Sequence, residues 1–374
     1  MFTELPTSEP GLPDERSGDR GRLPPGTLAG PWRVEHELGH GGMGTVYAVT
    51  HETIEKRAAL KVVHPHALTP WFTAERFLAE AHVVNQVAHS GIVDIFETGR
   101  LPDGRPYLVM ERLEGETLGQ RVAKGRLAPE EVCEILHEVC AAIGAAHRAH
   151  IVHRDLKLDN IFLVEAHDEQ RACIKVLDWG IAKVLSTDPL ATCAERLTGT
   201  PRYVSPEQAC GQTITVQSDV YSLGVVAYEL FVGAAPFDAD SAGQLLLMHA
   251  RDVPAPPRAH WREIPPDLDA LVISMLAKDP RQRPPIDQVA QRLAVIHARL
   301  RGQRRTQVRH GIAPMPRRAH GPRRVASAVS STVLAPRVSR WTSPRLRFVR
   351  ALALVALLGD VVLSAHARTA GADP

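Results

Sequence analysis

Short apolar runs separated by turn residues fill the first part of the chain. Residues 32–38, 45–49 and 58–63 each predict a strand, with Gly, His and Thr between them. Residues 71–88 predict a helix, and 92–98 and 107–111 predict two further strands. Together these form a small, mostly antiparallel β-lobe carrying one helix. After Gly115 the period changes. Val132, Ile135, Leu136, Val139 and Ile143 recur every three or four residues and mark one buried helix face. Pro129 falls just inside its start, where a missing N–H costs nothing. Further helices are predicted at 216–231, 242–250, 267–276 and 286–300, the last sharply begun by Pro284 and Pro285. The pattern is that of a bilobal α+β fold, with a β-lobe hinged to a helical lobe and a ligand cleft between them.

Outside that body the periodicity stops. Residues 1–28 hold Pro, Gly and charges but no apolar core of a secretory signal, and read as a disordered lead-in to a domain at 29–300. Residues 301–347 are rich in Arg, Pro, Ser and Ala and read as a disordered basic linker. Residues 301–350 hold thirteen Arg and no Asp, Glu or Lys; with the tail's own −1 removed from the chain's formal +2, residues 1–300 carry −10. An acidic body argues against nucleic acid as its partner. The five cysteines form no CxxC pair, which fits a reduced cytoplasmic setting. Cys133 and Cys140 lie two turns apart on one predicted helix and read as core, while Cys193 is a candidate reactive thiol in a loop.

Three local motifs carry the chemistry. Gly39-His40-Gly41-Gly42-Met43-Gly44-Thr45-Val46 is a G-x-G-x-x-G-x-V loop set between two predicted strands. Glycines there let backbone N–H groups approach a triphosphate. A dinucleotide fold would lead from these glycines into a helix instead. Lys61 ends an apolar strand, where an unpaired ammonium would be costly. Glu80 on the following helix is preferred over Glu75 as its counter-charge. Last come His153-Arg154-Asp155-Leu156-Lys157-Leu158-Asp159-Asn160 and Asp178-Trp179-Gly180, two acidic turns whose Asn160 and Asp178 can reach a metal while Asp155 meets a hydroxyl.

In this order, with Gly199-Thr200-Pro201, Ser205-Pro206-Glu207, Asp219 and Arg283 following, residues of about 32–299 resemble the bacterial eukaryotic-like serine/threonine protein kinases. The resemblance implies ATP and Mg²⁺ (or Mn²⁺), and Ser/Thr of proteins as acceptors, the chain itself among them. It implies that Lys61 grips the α- and β-phosphates with Glu80 fixing its direction, Asp155 is the base, Lys157 steadies the γ-phosphate, and Asn160 and Asp178 hold the metal. Leu38, Gly39, Gly41, Gly42, Gly44, Val46 and Ala59 would enclose the nucleotide. Met110 would line the back of the adenine pocket, and the backbone of Glu111 and Leu113 would bond the base. Thr200 would bond back toward Asp155 and Lys157. His153, Trp179 and Asp219 would brace the catalytic segments, and Glu207 would pair with Arg283. Trp179, Leu158 and Ser205 replace the usual Phe, Pro and Ala, and none of these removes a catalytic group.

Arg154 directly before Asp155 implies activation by a phosphate in the segment that follows, with Thr198 the leading candidate and Thr192 the second. Within 348–367, residues 351–363 are apolar but interrupted by Gly359 and Asp360, and short against the roughly 17–25 residues a span needs. The Arg-rich stretch before them suits the cytoplasmic side of a membrane helix. A membrane anchor, an interfacial segment and a disordered tail all stay open for 348–367, with 368–374 as a tail. The competing functional reading is a catalytically silent, ATP-binding scaffold. A small-molecule phosphotransferase is disfavoured by Thr200, Glu207 and Arg283.

Overall fold

A computed structural model describes residues 21–68, 73–165, 173–179 and 201–309, without the side chains of residues 80 and 305–309. Strands β1 (Leu28–Ala29), β2 (Trp32–His40), β3 (Gly44–His51), β4 (Arg57–Val63), β5 (Ile95–Arg100) and β6 (Pro106–Met110) form an antiparallel sheet in the order β1-β2-β3-β4-β6-β5. Alternation divides β4 between two cores. Ala58, Leu60 and Val62 join Val34, Tyr47 and Val109 on one face. Val63 joins Leu108 and Phe77 on the other, where helix α1 (Ala74–Val84) packs. Thr73 caps that helix by accepting from the Arg76 N–H.

Two sequence expectations change in this lobe. Ordered chain begins before residue 29: Leu23 packs on the β-core, its N–H donates to the Tyr47 hydroxyl at 2.9 Å, and buried Arg105 donates to the Gly21 carbonyl. Single contacts of this kind leave no periodic trace in sequence. The strand expected over 92–98 starts at Ile95, because Ile92 instead forms an isolated parallel bridge with Val176.

The helical lobe is built on α3 (Pro129–Arg148), α5 (Val216–Val232), α7 (Pro266–Met275) and α8 (Ile286–Arg309), with α2 (Leu118–Ala123), α4 (Pro206–Ala209) and α6 (Ala242–Arg251) around them. The predicted face of α3 is buried, and Pro129 is its first residue. Burial pushes the Cys133 thiol up to about 12 and raises Cys140 as well, as expected of packed, unreactive thiols. Helix α5 is buried almost throughout and ends on left-handed Gly233. Helix α8 runs nine residues into the stretch read as linker. Leu293 and Ile296 anchor it, and Arg304 extends it through an ion pair with Glu130.

A second, unanticipated sheet lies where the lobes meet: β7 (Gly115–Thr117), β8 (Ile161–Val164) and β9 (Cys173–Val176), antiparallel in that order. Strands this short show no readable period. Gly115 is obligatory there, with φ +142° and the Leu163 carbonyl oxygen 2.1 Å from where a Cβ would sit. Among the described residues no helix is long and apolar enough to cross a membrane. The stretch 348–367 lies outside them.

Candidate active site

The β2–β3 hairpin carries the glycine loop. The Gly41 N–H donates to the Gly44 carbonyl at 2.9 Å, and Gly44 abuts β4 so closely that a Cβ would lie 2.3 Å from the Val62 oxygen. Gly39, Gly41, Gly42, Gly44 and Val46 roof a cavity of about 560 Å³. Lys61, Asp155, Lys157, Asn160, Asp178 and Trp179 supply its other walls. Residues far apart in sequence thus converge on one space under the loop.

Strand register fixes Lys61 opposite Val46 on one side and Leu108 on the other. Its ammonium meets Asp178 Oδ1 at 2.5 Å. Glu80 stands on α1 with its side chain outside the described residues. The rival partner Glu75 pairs with Arg100. Asp178 stands deep in the cleft with about half its side chain open to the cavity; loss of water there would raise its carboxyl, but the Lys61 ammonium and its hydrogen bond, with Lys157 behind, outweigh that and hold it below the usual carboxylate range.

The loop from His153 to Asn160 is held by its own polar groups. Asn160 Nδ2 donates to the Asp155 carbonyl at 2.8 Å and to Asp155 Oδ2 at 3.2 Å, and Lys157 Nζ donates to the same Oδ2 at 3.2 Å. Asp219 anchors the loop from beneath. Its Oδ2 accepts from the His153 N–H and His147 Nε2, and its Oδ1 from the Arg154 N–H, all at 2.8 Å. Those bonds hold Arg154 at φ +66°, a strained value for a side chain with a Cβ. Exchange of Asp219 for asparagine sets an amide N–H against at least one backbone donor, the Arg154 N–H if the amide oxygen takes the Oδ2 place, and is expected to cost about 1–3 kcal/mol, read from the urea midpoint.

His153 and Trp179 pack ring against ring at 4.8 Å, both buried. Burial pushes His153 down despite the pull of Asp219 and Asp155. It is neutral at pH 7, donating from Nε2 to the Leu177 carbonyl and accepting at Nδ1 from the Asp155 N–H. Farther down, Arg283 and Glu207 form a buried bidentate pair at 2.7 and 2.9 Å.

The adenine-end residues are placed less directly. Met110 pairs with Ala59 across the sheet, and Glu111 and Leu113 follow β6 into the connection between lobes. These residues and Leu38 stand beyond the lining of the cavity. The Glu111 N–H donates to the Asp94 carbonyl at 2.9 Å, and its carboxylate is held by the Asp94 N–H and by Lys175. Thr200, Thr198, Thr192 and Cys193 lie outside the described residues.

Several site residues escaped the sequence reading. Thr117, Gln120 and Asp159 also line the cavity. Gln208 Nε2 donates to the Arg154 carbonyl at 2.9 Å. Three of these, Thr117, Gln120 and Gln208, carried a legible signal. Thr117 with Gln120, and Ser205 with Gln208, are T/S-x-x-Q capping boxes, and both form. His147 carried none.

Residues 32–293 match the family model of the protein kinase domain, and the chain belongs to that family, in its bacterial eukaryotic-like serine/threonine branch. It is 41% identical over 258 residues to the serine/threonine-protein kinase Pkn1 of Myxococcus xanthus, covering 69% of this chain and 37% of the relative. It is 37% identical over 265 residues to the serine/threonine-protein kinase PknB of Mycolicibacterium smegmatis, covering 69% and 41%. The chain therefore spans less than half the length of these curated relatives. The crystal structure of the Mycobacterium tuberculosis PknI kinase domain superposes with a TM-score of 0.60 at 26% identity, over 73% of this chain and 99% of that one.

Proposed function

We propose that this chain is an active, ATP-dependent serine/threonine protein kinase. The observation that carries the reading is the convergence of Lys61, Asp155, Lys157, Asn160 and Asp178 under the glycine loop. The silent-scaffold alternative would want one of those groups missing or displaced. In this reading the glycine-loop amides and Lys61 bind and orient the phosphates, and the Glu111 carbonyl meets the adenine, since its N–H is already bonded to Asp94.

Asp155 accepts the proton of a Ser or Thr hydroxyl as that oxygen bonds to the γ-phosphorus. The bond from the γ-phosphorus to its bridging oxygen breaks, and ADP leaves with the electron pair. Lys157, beside Asp155, offsets charge on the transferring group. Asn160 and Asp178 would hold the divalent cation. Asn160 turns its Nδ2 into Asp155, which leaves its amide oxygen as the ligand, and Asp178 is a half-exposed carboxylate at the cavity wall. Among the described residues no cluster of three His, Cys, Asp or Glu could hold a metal. Mg²⁺ asks for only one or two carboxylates, completing its shell with water and phosphates. Bound there, it supplies charge neutralisation on the phosphates.

The test is transfer of label from γ-labelled ATP by the purified chain with Mg²⁺, followed by phosphoamino-acid analysis. Label on phosphoserine or phosphothreonine, in itself or in a generic protein, is the expected result; ATP binding without transfer sinks the reading. Autophosphorylation is assigned to Thr198 first and Thr192 second. Arg154 supports this, since its Nε is buried with no hydrogen-bond partner among the described residues, where a phosphate could pair with it. Phosphopeptide mapping that finds neither threonine modified would refute that assignment. Residues 348–367 are carried as a membrane anchor on the strength of the Arg-rich stretch before them; failure of the chain to float with anionic vesicles would remove it.

A further inference from the structure

Packing does not shape the tip of the glycine loop. A Cβ added at Gly39, Gly41 or Gly42 would find nothing within 4 Å. Glycine also loses more backbone freedom on ordering than any other residue. Something else must hold the tip, and the residues directly after β4 do so.

His64 is followed by a single 3-10 turn, Pro65–Ala67. The His64 N–H donates to the Met43 carbonyl at 2.9 Å, and His66 Nε2 lies 3.1 Å from the Gly42 carbonyl. A carbonyl only accepts, so His66 donates from Nε2. A third bond, 2.9 Å between His64 Nε2 and the hydroxyl of buried Thr45, ties the same turn to the root of β3. Two consecutive tip carbonyls are thereby gripped from outside the cavity. In a trans peptide the C=O and the following N–H point in opposite directions. Gripping the Gly42 and Met43 carbonyls therefore turns the Met43 and Gly44 N–H groups away from the histidines.

We propose that His66, clamped on the Gly42 carbonyl, is a positioning residue for the nucleotide phosphates. It holds the loop tip in receptive shape before ATP arrives, so less ordering remains to be done on binding. His66 itself touches no reacting group. The inference rests on the kinase reading above, and its test separates the two.

ATP KM from initial rates and ATP Kd from calorimetry would be measured on the full chain and on His66→Ala, His66→Phe and His66→Gln. His66 is exposed, so each variant should fold. Loss of one hydrogen bond at the tip predicts a rise of about three- to tenfold in both KM and Kd for Ala and Phe. The change falls on these constants rather than on kcat. Gln, whose amide N–H can still donate, should recover most of the loss. Unchanged KM and Kd in Ala and Phe, or a loss that Gln fails to restore, would overturn the clamp while the kinase reading stands. An unmodified chain that binds no ATP would overturn both.

Discussion

Exchange of Asp155 for asparagine is expected to lower kcat by between about 10² and 10⁴, the range spanned by a positioned general base. The substitution is close to isosteric, so the surrounding bonds decide what else changes. Asp155 Oδ2 accepts from Lys157 and Asn160, and the residue's carbonyl accepts from Asn160. An asparagine oxygen in the Oδ2 position can keep both side-chain bonds, and the backbone bond is untouched. ATP affinity should therefore change little while turnover collapses. Single-turnover transfer alongside calorimetric ATP binding separates these effects. A variant that retains more than about a tenth of the parent rate would remove Asp155 from the role of base. The contrasting control is Lys61→Met. Lys61 pairs directly with Asp178, so its loss strips a counter-charge from a carboxylate that burial alone would push up. Its penalty should fall on nucleotide binding as well as on turnover.

The parts of this site that were legible in sequence are those whose chemistry is local. Gly44 must be glycine because of β4's backbone, Asp155 and Asn160 bond across five positions of one loop, and Pro129 opens α3 where sequence rules put it. Motif order, rather than any one motif, joined these pieces into a kinase. Contacts between distant segments were legible only where a family pattern named both partners, as for Glu207 with Arg283. Lys61 meets Asp178 across 117 positions, His147 reaches Asp219 across 72, and Lys175 holds Glu111 across 64. No periodicity encodes such pairs. Strands β7 to β9 are three or four residues long, too short for alternation to be seen. Helix α8 outran its expected end for the opposite reason. Residues 301–304 offer no apolar side chain, and the ion pair of Arg304 with Glu130 rather than an apolar stripe carries the helix past Leu300.

The largest expected effect on stability lies at the pair of Glu207 and Arg283. Arg283 bonds both carboxylate oxygens and also donates to the carbonyls of Ala277, Gln217 and Lys278, while Ser218 donates to Glu207 Oε1. Both side chains are almost wholly buried. Replacing Arg283 with methionine leaves a buried carboxylate without its counter-charge, and the expected cost is about 3–5 kcal/mol. At about 2–4 °C per kcal/mol for a large domain, the thermal midpoint should drop by roughly 6–20 °C. Leucine at both positions should recover part of that loss, because no charge is then stranded. The pH dependence supplies an independent check. In the parent, burial would raise Glu207, but the Arg283 and Ser218 bonds prevail and hold it below its ordinary value. That contribution is present in full above the ordinary glutamate range and is lost only as pH falls through the lowered folded value. In Arg283→Met the balance reverses and burial pushes Glu207 up. The carboxyl then takes a proton at higher pH than in the unfolded chain, and the variant gains relative stability as the solution is acidified. The deficit should narrow steadily from about pH 8 to about pH 5 in paired urea titrations. A deficit that stays constant across that interval would mean that Glu207 is not the group left stranded.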